Sequence, residues 1–213
     1  MINRLLPPEV STAAIRGDEP GVAPLPEEMA LVEGAVAVRR AEFVSARDCA
    51  RRALRQLGVP DGPILRGPKR EPLWPAGIVG SITHCTGYRA AAVARAAHIL
   101  TIGIDAEPHA AIPDRVATRV LDDKERAWAT RAPGGIHWDR LIFSAKESVY
   151  KAWFPLARGW LGFEEATIAI DAAAGTFRAS LLIDPPAGVP ATFDGRYLIE
   201  DGLIATAIAV PAL

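Results

Sequence analysis

The chain has 213 residues, half of them hydrophobic, with 24 Lys+Arg against 25 Asp+Glu and a formal net charge of −1. A chain this apolar buries a core, which excludes wholesale disorder. The near-zero balance excludes a protein that works by coating nucleic acid or an anionic membrane.

Residues 1–26 are rich in Pro, Gly and acidic residues without periodicity and read as an extended arm or loop. From Glu27 to Leu57, apolar residues recur at helical spacing until Gly58-Val59-Pro60 stops the run, which predicts one long helix. Its polar face carries Arg39, Arg40, Arg47, Arg51, Arg52 and Arg55. Most of these are expected to line a solvated face, but with so few acids between them they form a basic cluster. A proline-rich loop, 61–75, adds Arg66, Lys69 and Arg70. Ile78–His84, Tyr88–Ala94 and Ile99–Asp105 are apolar, strand-length and separated by Gly or polar punctuation. Val116–Trp128 predicts a second helix, broken by Pro133-Gly134-Gly135, and Trp138–Trp153 a third. Strands follow at Ala166–Asp171, Phe177–Ile183, Tyr197–Glu200 and Leu203–Val210, with hairpin turns at Ala174-Gly175 and Asp201-Gly202. Helix then meander, twice over, predicts an α+β protein of two similar halves in a pseudo-twofold arrangement. The divisions are an arm (1–26), an N-terminal half (27–108) and a C-terminal half (109–213).

Cys49 and Cys85 lie in unlike contexts without CxxC spacing and read as reduced thiols of a cytosolic protein. Met1 to Pro8 has no apolar core of a signal peptide. The longest apolar stretch, Ala90 to Ile104, is interrupted by Arg95 and His98 and is too short to span a bilayer.

Three segments hold more polar residues than core elements tolerate. Gly103-Ile104-Asp105-Ala106-Glu107 ends an apolar strand with carboxylates at i and i+2, on one face. Such a pair repels itself unless a cation intervenes, and oxygen ligands suit Mg²⁺. The plainer account is a strand ending in solvent with two exposed acids. In Phe143-Ser144-Ala145-Lys146-Glu147-Ser148-Val149-Tyr150-Lys151, Glu147 and Lys151 are neighbours on a helix face. They are either an ordinary surface ion pair or a third carboxylate beside an anion-facing lysine. Gly80-Ser81-Ile82-Thr83-His84 crowds polar groups beside the basic loop. Without a GxSxG elbow, a glycine-rich phosphate loop or zinc spacing, a phosphate here has to be held by side chains.

In order and wording these segments resemble the signatures of the 4′-phosphopantetheinyl transferases. Lys69-Arg70-Glu71-Pro72-Leu73-Trp74-Pro75, Thr83-His84-Cys85-Thr86-Gly87-Tyr88-Arg89 and Lys151-Ala152-Trp153-Phe154-Pro155 point to the enterobactin-synthase-component-D-like, actinobacterial branch. The likeness runs from about residue 24 to the C-terminus. Phe143 stands where many members carry Trp, and Ser148 where Ala is common.

The resemblance implies that family's fold and transfer of the phosphopantetheine arm of coenzyme A to a serine of an acyl or peptidyl carrier protein. It further implies Mg²⁺, with Mn²⁺ able to replace it, release of adenosine 3′,5′-bisphosphate, and a cytoplasmic monomer engaging neither nucleic acid nor membrane. Asp105, Glu107 and Glu147, with Ala106 between the first two, would hold the metal. Glu147 would serve as general base, directly or through a water at the metal, with Lys151 facing the α-phosphate; Asp105 completes the catalytic set. Arg39, Arg47, Arg66, Gly67, Pro68 and Lys69 would hold the 3′-phosphate and adenine side, and Thr83 and His84 would lie against the phosphates. Trp160 would line the pantetheine channel, and Lys146 would be structural. Met29, Trp153, Phe154 and Leu161 are either core or a carrier dock. Two other readings remain: a coenzyme A-binding module without transfer activity, and a Mg²⁺-dependent nucleotide pyrophosphohydrolase.

Overall fold

Residues 1–212 are described by a computed structural model, and its layers follow from strands that are apolar on both faces. The element that sets them is β3 (Tyr88–Arg95), flanked by β1 (Ser11–Arg16) and β2 (Ile78–Cys85) in an antiparallel three-stranded sheet. Ala91 and Val93 of β3 pack against Cys49, Ala50, Ala53 and Leu54 of helix α1 (Ala37–Gln56). Ala90, Ala92 and Ala94 point the other way, onto a second sheet. That sheet has the order β4 (Ile99–Pro108), β8 (Leu203–Pro211), β7 (Thr192–Glu200), β6 (Thr176–Leu181), β5 (Ala166–Asp171), also antiparallel. Ile102, Ile104 and Ala106 of β4 join Ala205 and Ala207 of β8 against the β3 alanines. Small side chains from both sheets let them approach closely.

The far face of the second sheet carries α4 (Trp138–Ala157), whose Ile142, Ala145, Val149 and Ala152 meet Phe177, Ala179, Phe193 and Ile208. The contact is tightest at Gly103: a Cβ there would run into the Ser148 carbonyl and lie 2.9 Å from the Ala152 nitrogen. Thr101 Oγ1 donates to the Ala152 carbonyl at 2.7 Å, fixing α4 along β4. The layers are therefore helix, sheet, sheet, helix.

The two sheets meet edge to edge where β2 lies along β4, and no backbone ladder joins them. Instead the β4 amides of Ile104 and Ala106 donate to Ser81 Oγ (3.1 Å) and Thr83 Oγ1 (3.0 Å) of β2. Backbone donors buried at a junction need partners, and here hydroxyls supply them.

The α+β class and the antiparallel pairing agree with the sequence reading; several element assignments do not. The long first helix begins at Ala37 rather than Glu27, because Gly34 at φ +73° breaks the backbone after a 3₁₀ turn at Pro26–Leu31. The second helix is two, α2 (Asp114–Val120) and α3 (Asp123–Arg131). Asp122 restarts it through a reciprocal cap, its carboxylate accepting from the Glu125 amide while Glu125 accepts from the Asp122 amide. The arm contains β1, an edge strand. The symmetric halves are not reproduced: β4 pairs with β8, so three strands stand against five.

Candidate active site

Asp105 and Glu107 face α4 from β4, and the strand ends in protein rather than in water: Asp105 is 4 % exposed. Asp105 Oδ1 takes Lys151 Nζ at 2.7 Å and Thr83 Oγ1 at 3.3 Å, and Oδ2 takes Ser144 Oγ at 2.8 Å. Lys151 Nζ also donates to the Ile104 carbonyl at 3.1 Å. The i,i+4 helix-surface pair is thus not formed, since Lys151 turns across to Asp105. Glu147 makes no hydrogen bond or ion pair among the described residues.

Electrostatics bind the acids into one unit. Burial, reinforced by the Asp105 charge, pushes Glu107 up to about 7 against the pull of Arg140. Burial likewise raises Glu147, with Lys151 opposing and Asp105 adding to the shift. Burial disfavours a charged Lys151, but Asp105 and Glu147 outweigh it and hold its pKa above the ordinary value.

The donor set is oxygen-only, repels itself and is short of positive charge, which fits a hard divalent cation. The Ala106 amide points to β2, so its carbonyl lies on that side too, away from β8. Lys151 and Arg140 supply the compensating charge as the chain stands. Among the described residues no three Asp, Glu, His or Cys side chains already converge as a ligand cluster.

The basic groups separate into spent and free. Arg51, expected on a solvated face, is buried and pairs at 2.9 Å with Glu28, itself 0 % exposed. Arg52 pairs with Asp48 and Glu19, and Arg55 with Asp61. Arg39 is exposed and bound to Glu42 at 2.8 Å. Arg47 and Arg66 have no carboxylate partner among the described residues, nor has Lys69. Arg47 is buried, its Nε donates to the Ile64 carbonyl at 2.9 Å, and burial followed by the Arg66 charge lowers it to about 10. The loop that carries Arg66 is well tied. Gly67-Pro68-Lys69-Arg70 is a turn closed from the Arg70 amide to the Gly67 carbonyl (2.9 Å). Trp74 Nε1 donates to the Gly80 carbonyl on β2 at 3.0 Å.

His84, exposed at the end of β2, places Nδ1 3.8 Å from Glu42. The part of its ring that is covered loses solvation, which lowers its pKa against the Glu42 charge. Trp160 is 73 % exposed and packs on Tyr150 of α4, with ring centroids 5.2 Å apart. Trp153, Phe154 and Leu161 are core, and Met29 is half exposed. Lys146 is buried, donating to the Val120 and Phe163 carbonyls and paired with Glu125 at 2.8 Å.

Two family models match the chain: the 4′-phosphopantetheinyl transferase N-terminal domain over residues 27–94 and the 4′-phosphopantetheinyl transferase superfamily over 101–205. The chain is 48 % identical over 210 residues to the 4′-phosphopantetheinyl transferase PptT of Mycobacterium tuberculosis, covering 95 % of this chain and 92 % of that protein. This chain belongs to the 4′-phosphopantetheinyl transferases. The transferase Npt of Nocardia iowensis is 46 % identical over 220 residues (98 % of this chain, 99 % of that one), and Svp of Streptomyces mobaraensis 50 % over 202 (92 % and 82 %). The protein is accordingly an enzyme of the holo-[acyl-carrier-protein] synthase class, whose members use coenzyme A to modify carrier domains.

Several residues of this phosphopantetheinyl transferase escape a reading of its sequence. Arg140 grips Glu107 at 2.8 Å and also the Ala110 and Ala111 carbonyls. Ser144 and Thr206 extend the polar contacts of Asp105 inward, with their hydroxyls 2.9 Å apart, and Ser148 joins Thr206 at 2.7 Å. The Ser-for-Ala change at 148 is thus a satisfied hydroxyl, and Phe143 fills its place against Phe163. Only the spacing Arg39-x-x-Glu42 offered a signal, for Glu42; nothing local marks Thr206 or Arg140.

Proposed function

We propose that the protein transfers 4′-phosphopantetheine from coenzyme A to a carrier-protein serine in a Mg²⁺-dependent reaction that releases adenosine 3′,5′-bisphosphate. The observation that carries the reading is the Glu147 carboxylate, without a partner among the described residues, on the same helix as Lys151, which reaches across to Asp105. Asp105, Glu107 and Glu147, with the Ala106 carbonyl, would hold the ion. Bound there, it would neutralise charge on the phosphoanhydride.

The chain's own groups supply the rest. Glu147, raised by burial, takes the serine proton. The serine oxygen bonds to the phosphorus that carries pantetheine, and the bond from that phosphorus to the bridging oxygen breaks, leaving the pair of electrons on the departing α-phosphate. Lys151 meets that charge. Arg39, Arg47, Arg66 and Lys69, with the backbone of Gly67 and Pro68, cradle the 3′-phosphate and adenine side. Thr83 and His84 lie against the phosphates, and Trp160 along the pantetheine arm. On this reading residues 27–108 serve coenzyme A and 109–213 catalysis, with β4 shared. Two free cysteines support a reducing cytosol, and no described helix is long and apolar enough to cross a membrane. A monomer suffices.

The test is mass spectrometry of a panel of apo carrier proteins incubated with enzyme, coenzyme A and Mg²⁺. Gain of one phosphopantetheine is expected, and Glu147→Gln should reduce the rate about 10²-fold or more with coenzyme A affinity retained. No mass gain on any carrier refutes transfer. Release of product from coenzyme A without a carrier would favour hydrolysis.

A further inference from the structure

Phe43 lies one turn before Arg47 on α1 and is 5 % exposed. The guanidinium carbon of Arg47 sits 3.5 Å from its ring centroid, and that of Arg66, from the loop, sits 4.8 Å from it. Two cations from separate segments thus share one aromatic ring. A ring offers them its negative quadrupole and no net charge. Their repulsion is left standing: neither has a carboxylate partner among the described residues, and each is shifted downward, Arg47 partly by Arg66. Arg47 is held from behind through Nε to the Ile64 carbonyl, and Arg66 through a backbone bridge to Pro72. Apart from that Nε contact, neither guanidinium donates a hydrogen bond to another described residue. A pair of arginines assembled around a ring, with no direct ion pair and with Glu28 acting on Arg47 only from its pairing with Arg51, matches a dianion such as a phosphate monoester, which two forks can grip at once.

We propose that Phe43 is a positioning residue for the 3′-phosphate of coenzyme A, holding Arg47 and Arg66 together as one clamp and so setting the preference for coenzyme A over dephospho-coenzyme A. The proposal rests on the assignment of Arg47 and Arg66 to the 3′-phosphate made above. It gives the ring a role distinct from core filling, because its effect is confined to one phosphate of the substrate.

Steady-state carrier loading with each of the two substrates tests it. In Phe43→Leu, KM for coenzyme A should rise about tenfold, the equivalent of about 1.4 kcal/mol, while KM for dephospho-coenzyme A and kcat at saturation stay within twofold. Phe43→Met removes the ring but fills the site with a flexible apolar side chain, and it carries the same expectation if the leucine variant does not fold. Arg66→Ala serves as the reference and should erode the same preference. If Arg66→Ala does and the Phe43 variants do not, or if they shift both substrates alike, the positioning role is overturned. If Arg66→Ala leaves the preference intact, the phosphate assignment itself is wrong and the proposal falls with it.

Discussion

Gly103→Ala adds one methyl group where β4 meets α4, and its cost follows from the packing. The new Cβ would lie 2.9 Å from the Ala152 nitrogen and closer still to the Ser148 carbonyl. Non-bonded carbons settle at roughly 3.5 Å or more, so α4 has to withdraw by on the order of 1 Å. Both obstacles are helix backbone, and neither can swing aside as a side-chain tip could. Overpacking of this kind costs about 1–3 kcal/mol, and the rigid neighbours place this case at the upper end. For a chain of this size that is a fall in Tm of roughly 6–12 °C. The same displacement carries Glu147 and Lys151 away from Asp105, and a 1 Å misplacement costs about 10²-fold in rate. Differential scanning fluorimetry and carrier loading by the folded fraction read the two effects separately. A Tm within 2 °C of wild type together with undiminished loading would refute both the contact and its link to catalysis.

Glu107 predicts a pH dependence of the metal-free protein. Its folded pKa of about 7 lies above the ordinary 4.5, so the fold favours the protonated form. Stability contributed by this group is full below pH 4.5 and is lost as pH rises through 7, by about 3 kcal/mol. In EDTA, urea midpoints of wild type relative to Glu107→Gln should decline across that window; parallel curves would count against the shift. Lys146→Met leaves Glu125 charged and buried without its partner, and should cost about 3–5 kcal/mol in urea unfolding while KM for coenzyme A holds. A loss under 1 kcal/mol would mean that the pair is dispensable. Removing Mg²⁺ with EDTA should abolish loading and restoring it should recover the rate; loading that persists in EDTA contradicts the role given to Asp105, Glu107 and Glu147.

Elements with strong local patterns were legible in the sequence. Ala166–Asp171 falls on its predicted bounds, and the hairpin at Asp201-Gly202 joins β7 to β8 as its turn residues imply. Failures arose where a single residue overrode periodicity: Gly34 held back the start of the first long helix to Ala37, and Asp122 restarted another after Leu121 turned extended. β4 was recognised as a strand, but its partner β8 lies about a hundred residues away. The site divides in the same manner. Asp105, Glu107, Glu147 and Lys151 stand in short recognisable wording. Arg140 reaches Glu107 across 33 positions, and Thr206 reaches Ser144 across 62. Arginine count could not separate Arg51, paired directly with Glu28, from Arg47, which forms no ion pair among the described residues.

The hydroxyls that Ser81 and Thr83 lend to β4 bear on more than its geometry. An unpaired strand edge is a template for another chain, and proteins ordinarily blunt it with charge, proline or a bulge. Here the edge beside the acids is masked by the chain's own neighbouring strand, through two side chains embedded in a recognisable motif. Ser81→Ala or Thr83→Val would therefore leave a buried β4 amide without its acceptor and loosen the seam between the sheets. Lost turnover in either variant should be read beside its Tm, since a loosened seam would mimic a chemical defect.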